Sequence, residues 1–187
     1  MRRLLTTAGI LLALAGALPS PANAQAFFTP WAGATFKGDA PARKLTYGAA
    51  MTFMDRTAGF EIDLGYTPDF FNQQAGLALI ADSNVTTAMG SLVIGPRIGR
   101  VRPYGVAGLG IVRSRIGATD LFSHLDTNDF GVNAGGGVMI RISRRAWLRG
   151  DLRYFRSLQD PSNDNGLDVT LGKFYFWRGT VGVSFHL

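Results

Sequence analysis

The sequence predicts an all-β fold, an eight-stranded antiparallel up-and-down transmembrane β-barrel. Three observations predict it. After residue 24 the chain holds eight stretches of about ten residues in which apolar and polar side chains alternate with a period of two. The connections between these stretches are short at one end and, with one exception, long at the other. No segment beyond residue 24 is apolar over the roughly 20 residues that a spanning helix needs.

The chain opens with a segment read as an export signal. Met1-Arg2-Arg3 supplies a positive start, residues 4–18 are apolar, Pro19-Ser20-Pro21 breaks the run, and Ala22-Asn23-Ala24 places small residues where a signal peptidase reads them. Cleavage is expected after Ala24, with Gln25 as the mature N-terminus and residues 25–187 as one domain of about 163 residues.

The predicted strands run 27–36, 44–54, 58–70, 85–95, 103–112, 130–142, 146–155 and 174–187. The first begins with Phe27, Phe28 and Trp31. In the second, Leu45, Tyr47, Ala49, Met51 and Phe53 share a face opposite Thr46, Gly48, Ala50 and Thr52. In the third, Phe60, Ile62, Leu64 and Tyr66 oppose Gly59, Glu61, Asp63 and Gly65. The fourth and fifth are set off by the loop 71–84 and the short turn 96–102. The sixth puts Phe130, Val132, Ala134, Val138, Ile140 and Ile142 on one face. In the seventh, Leu148, Gly150, Leu152 and Tyr154 oppose Arg149, Asp151 and Arg153. The eighth sets Tyr175, Trp177, Val181, Val183, Phe185 and Leu187 against Arg178, Thr180, Ser184 and His186.

Asp55-Arg56-Thr57, residues 96–102 and Ser143-Arg144-Arg145 are short turns, expected in the periplasm. Residues 71–84, 113–129 and 156–173 are long, polar and expected outside, while 37–43 is only moderate. Aromatic residues near strand ends are expected to form girdles at the two membrane boundaries: Phe27, Phe28, Trp31, Phe53, Phe70, Phe71, Tyr104, Trp147, Phe174, Tyr175, Phe176 and Trp177.

Alternation fits a soluble barrel with an apolar interior as well as a membrane barrel with an apolar exterior. Three features favour lipid outside: strand middles lack lysine, the 24 glycines often fall on strands, and the chain ends as a strand. The formal charge of +6 falls to +4 once Arg2 and Arg3 are subtracted. It rests almost wholly on arginine, since the only lysines are Lys37, Lys44 and Lys173, and the only glutamate is Glu61. A water-soluble surface normally uses both lysine and glutamate. No basic run with interleaved aromatics suggests nucleic acid. There is no cysteine, which excludes disulfides, thiolate metal sites and a lipid-anchored N-terminal cysteine.

If the polar faces point inward, Glu61 and Asp63 on the third strand lie across the barrel from Arg149, Asp151 and Arg153 on the seventh. Arg178 on the eighth is expected to join them at the upper level. Buried charges need partners, and arginine's planar fork suits carboxylates. The expected result is a lumen filled by polar side chains, without a solute-sized pore. The rival reading is a gate whose ion pairs rearrange to pass ions.

Residues 182–187, Gly-Val-Ser-Phe-His-Leu, resemble the C-terminal assembly signal of outer-membrane barrels through Gly182, Phe185 and Leu187. Leucine ends the motif where phenylalanine is commoner. Residues 59–66 (GFEIDLGY) and 103–110 (PYGVAGLG) resemble the outer membrane protein β-barrel domain family, which includes opacity-type and OmpA- and OmpX-like small barrels. The resemblance spans the mature chain. It implies localisation in the outer membrane, contact with outer-membrane lipid and lipopolysaccharide, and insertion by the barrel assembly machinery. A monomer without cofactor is expected, with a structural or surface-exposed role and any extracellular ligand held by the loops.

Some barrels of this size modify lipids, which makes groups suited to acyl transfer relevant. Ser123 and His124 with Asp126 and Asp129 contain the residue types for acyl transfer, and all are expected in the third long loop. They are also ordinary loop residues. Ser184 and His186 share a lumen face at the periplasmic mouth, where a polar lining is the simpler reading. Gly135-Gly136-Gly137 lies within a strand and lacks the helix of a phosphate loop. The two histidines make no zinc pattern, and Asp160, Asn163, Asp164, Asn165 and Asp168 fit no calcium-loop spacing.

Overall fold

The computed structural model describes residues 25–38, 43–68, 80–118, 125–158 and 175–187, with side chains described for all of these except 80–83, 114–118 and 125–128. The described residues form eight strands, β1 (Gln25–Gly38), β2 (Lys44–Met54), β3 (Ala58–Pro68), β4 (Ile80–Ile94), β5 (Val101–Ala118), β6 (Leu125–Arg141), β7 (Ala146–Ser157) and β8 (Tyr175–His186). They pair in chain order into a closed antiparallel barrel. The closing seam joins β1 to β8, with Phe28 opposite Phe185 and Thr35 opposite Arg178, and a bulge between Phe36 and Gly38.

The short turns form for local reasons. Asp55 N donates to Ala58 O at 2.9 Å, closing the β2–β3 turn. Gly99, at φ +63°, supplies the left-handed residue that lets Ile98 and Val101 bridge before β5. Ser143 Oγ accepts from Ala146 N at 3.0 Å, a side-chain substitute for a turn hydrogen bond.

Burial alternates along every strand and sets the orientation. Glu61, Asp63, Arg149, Arg153 and Arg178 are almost fully buried, while Leu64, Leu92, Leu109 and Val181 on the opposite face are each more than half exposed. Exposed leucine and valine around a whole circumference would be unfavourable in water and fit hydrocarbon instead. The wall is apolar outside and the interior holds the charge.

Three strands run five or six residues past their predicted ends toward the long loops. β4 begins at Ile80, β5 runs to Ala118 and β6 begins at Leu125, so parts of the expected loops 71–84 and 113–129 are ladder. Arg113 lies opposite Asn128 and Arg115 opposite Asp126. The outward apolar series on this pair ends at Ile111 and Phe130. Beyond that level, β5 continues for seven residues and β6 for five. At about 3.3 Å per residue this projects the hairpin roughly 20 Å along the strand direction. Outside the hydrocarbon no face must be greasy, so hydrophobic alternation stops while backbone pairing continues.

The aromatic girdles also differ in membership from the expectation. Phe27, Trp31, Tyr104, Trp147 and Phe176 are buried within the barrel, not at its outer boundary. The outward rings are cross-strand neighbours. Tyr47 meets Tyr66 at 5.7 Å and Tyr154 meets Trp177 at 5.4 Å toward the long-loop end. Phe28 lies opposite Phe185, and Phe53 opposite Phe60, toward the short-turn end. Phe70, Phe71 and Phe174 lie outside the described residues.

Candidate functional site: the charged lumen

β3 and β7 stand diametrically opposite in an eight-stranded closed barrel, so their inward side chains point at one another across the axis. Glu61 from β3 receives both arginines of β7. Arg149 Nη1 lies 2.6 Å from Glu61 Oε2, and Arg153 Nη2 lies 2.7 Å from Glu61 Oε1. Asp151 serves the same two cations from between them, with Arg149 Nε at 2.7 Å and Arg153 Nη2 at 3.1 Å. Neutral groups fix the geometry further. Thr52 Oγ1 donates to Glu61 Oε2 at 2.7 Å, and Arg149 Nε donates to the Tyr104 hydroxyl at 2.8 Å.

One level higher, Arg178 pairs with Asp63 and donates from Nη1 to Thr87 Oγ1 at 3.3 Å. Its guanidinium is held between two rings, 4.3 Å from the Trp31 centroid and 4.5 Å from that of Phe155. Gly65 makes room for it. A Cβ at Gly65 would stand 2.5 Å from Arg178 Nη1 and 2.7 Å from Thr87 Oγ1. Gly65→Val is therefore expected to lower stability by about 1–3 kcal/mol. Gly150→Ala, where an added Cβ meets nothing within 4 Å, should be neutral. Urea unfolding followed by heat-dependent gel mobility checks both.

The six sequence-selected residues thus form two adjoining ion-paired groups in the lumen, the cluster of Glu61, Asp151, Arg149 and Arg153 and the pair of Asp63 and Arg178, each with formal charges that cancel. Sequence reasoning missed what encloses them. Phe27, Met54, Val93, Tyr104, Val106, Met139 and Trp147 form a buried apolar layer at the short-turn end. Val85, Met89, Val112, Phe155 and Phe176 form another toward the long loops. The lumen is layered, with ions held between two greasy discs. The signal was present in strand parity, since Trp147 and Phe155 share the inward face with Arg149, Asp151 and Arg153.

At the short-turn end, Gly182 faces inward, where a Cβ would come within 2.6 Å of Pro30 O, while Phe185 and Leu187 face outward. Leu187 N donates to Ala26 O at 3.0 Å, stitching this segment to β1. Ser184 Oγ accepts from Thr29 Oγ1 at 2.7 Å, and the His186 ring lies edge-on to Phe27 at 5.4 Å. Ser123 and His124 lie outside the described residues, as do residues 160–168. Asp126 and Asp129 are on β6 and not in a loop, because the ladder continues past the apolar band. Among the described residues no cluster of three or more His, Asp or Glu is arranged to hold a metal.

Comparison with known proteins agrees with this geometry. Residues 9–185 match the family model described as outer membrane protein beta-barrel domain. Among solved structures, Neisserial surface protein A superposes with a TM-score of 0.65 at 14% identity, covering 87% of this chain and 97% of that one. The N-terminal β-barrel domain of Pseudomonas aeruginosa OprF gives 0.59 at 15% identity, covering 88% and 98%. Ail of Yersinia pestis, in complex with the heparin analogue sucrose octasulfate, gives 0.55 at 14% identity, covering 88% and 99%. No curated protein sequence matches significantly. At such identities the structural likeness speaks to fold.

Proposed function

Because this chain belongs to the outer membrane protein beta-barrel domain family, we propose that it serves the outer membrane as a sealed barrel with a structural or surface-exposed binding role and no catalytic one. The observation that carries this reading is the filled, layered lumen. Three ion-paired arginines block the middle, and apolar discs lie on either side of them. An interior of eight strands has room for side chains and little else. Partner recognition then falls to the surface, where the β5–β6 ladder continues beyond the apolar band.

The same reading gives Phe185 and Leu187, with Gly182, the role of the segment recognised during barrel assembly, and it makes the bilayer lipids and lipopolysaccharide the partners of the outer wall. The protein acts as a monomer. An ion gate is the weaker reading, since shifting Arg149 and Arg153 between Glu61 and Asp151 would still leave both apolar discs closed.

Liposome swelling and planar-bilayer recording test the proposal. Proteoliposomes are expected to exclude sucrose and to show no stable conductance above the empty bilayer. Sucrose uptake, or channels abolished by Arg149→Ala, would overturn it. Assembly is checked separately. Phe185→Ser should reduce the heat-modifiable, membrane-inserted fraction several-fold while leaving the amount exported unchanged.

A further inference from the structure

A fourth buried arginine stands apart from the network. Arg102, the second residue of β5, lies at the short-turn end and is only 3% exposed, like the paired arginines. Unlike them, it meets no carboxylate among the described residues. Its one hydrogen bond runs from Nη1 to the Met54 sulfur at 3.4 Å, a weak acceptor, and its Nε has no partner. The paired arginines also leave one nitrogen each unmatched, but each has its counter-charge. The three lumen carboxylates are already taken by three cations, so Arg102 is the charge left over.

It lines a cavity of ≈760 Å³ at the mouth of the barrel, together with Gln25, Asp55, Arg56, Thr57, Pro96 and Arg97. The rim is organised around this space. Arg97 lies 5.2 Å from the Trp147 ring centroid, and its Nε donates to Gly99 O at 3.3 Å, two contacts that hold it at the mouth. Three guanidiniums against the single carboxylate of Asp55 leave the lining side chains at +2. Asp55 lines the same space but forms no ion pair with Arg102, while Arg97 adds a like charge, so an anion entering from the mouth would relieve the excess.

We propose that the periplasmic mouth is a phosphate-binding site, in which Arg102 forms the floor and Arg97 and Arg56 form the rim. The ligand is a phosphate monoester or diester. Planar guanidiniums suit its oxygens, Thr57 is at hand as a neutral donor, and the +2 lining matches a dianion. The chemistry admits two sources, a small soluble phosphate of the periplasm or the headgroup of an anionic phospholipid in the adjoining leaflet.

The test uses the full barrel in an uncharged maltoside detergent at low salt. Inorganic phosphate and glycerol phosphate are titrated by calorimetry, and retention of phosphatidylglycerol against phosphatidylcholine is read by native mass spectrometry. Saturable one-to-one binding of either soluble phosphate identifies a soluble ligand. Selective retention of phosphatidylglycerol alone identifies a lipid headgroup. In either case Arg102→Met should weaken binding by about tenfold or more, and Arg97→Gln by several-fold. Arg141→Gln, at the end of β6 and outside the cavity lining, should bind like the wild type. Arg102→Met should also keep heat-modifiable mobility and a urea midpoint at least as high as the wild type, since it removes an unmatched charge. Absence of binding in both arms, or equal binding by Arg102→Met, would overturn the site.

Discussion

Glu61→Gln is expected to be among the most damaging single substitutions in this barrel, lowering stability by about 3–5 kcal/mol. The glutamine keeps the shape of the side chain and removes only its charge. Arg149 and Arg153, both almost fully buried, would then share Asp151 alone, and the network would go from neutral to +1. Breaking one partner of a buried pair exposes the desolvation penalty of the other. Urea titration in lipid vesicles, read by the heat-modifiable band, measures the loss. A second substitution separates charge from shape. Arg153→Met in the Glu61→Gln background should recover part of the loss by restoring neutrality. A double variant weaker than the sum of the singles would show that charge balance is not what the network provides.

The second large effect tests the other face. Leu64 lies on the outer wall between the Phe60 and Tyr66 levels of β3 and is 54% exposed. Leu64→Arg places a cation near the bilayer midplane and should cost about 2–4 kcal/mol, with the penalty falling toward the interfaces. Leu45→Arg, nearer the long-loop end of β2, should cost well under half as much. Equal tolerance at both depths would contradict a hydrocarbon-facing wall. The pair of results also separates lipid from detergent effects, because in a short-chain micelle the depth dependence should flatten.

Much of this architecture was legible in the sequence because barrel physics writes itself with period two. Glu61, Asp63, Arg149 and Asp151 fall on polar faces opposite unbroken apolar ones, and counting strands suffices to put β3 across from β7. Which arginine meets which carboxylate was not legible. It depends on strand stagger, which places Arg178 against Asp63 and brings both β7 arginines to Glu61, and stagger leaves no mark in local sequence. The apolar discs were hidden for a different reason. Phe27, Tyr104 and Trp147 sit near strand ends, where aromatic residues commonly anchor at interfaces, so position along the strand points outward while parity across it points inward. Parity was the better guide. The projecting β5–β6 ladder left no trace because a strand in water with two polar sides reads as loop. Arg102 is not legible because the sequence puts it at the end of an arginine-rich turn, 96–102, and only its burial without an ion-pair partner distinguishes it.

The seam between β1 and β8 carries a consequence for how the chain reaches its native state. The Thr29–Ser184 hydrogen bond joins residues 155 apart in sequence, so the last ring contacts cannot form until nearly the whole polypeptide is present. Contacts of such separation form slowly, because loop-closure entropy is lost before they contribute. Until they form, the first and last strands are open edges, prone to pairing with a neighbour's. Deletion of either terminal strand is therefore expected to yield aggregates, visible by size-exclusion chromatography, rather than a smaller closed ring.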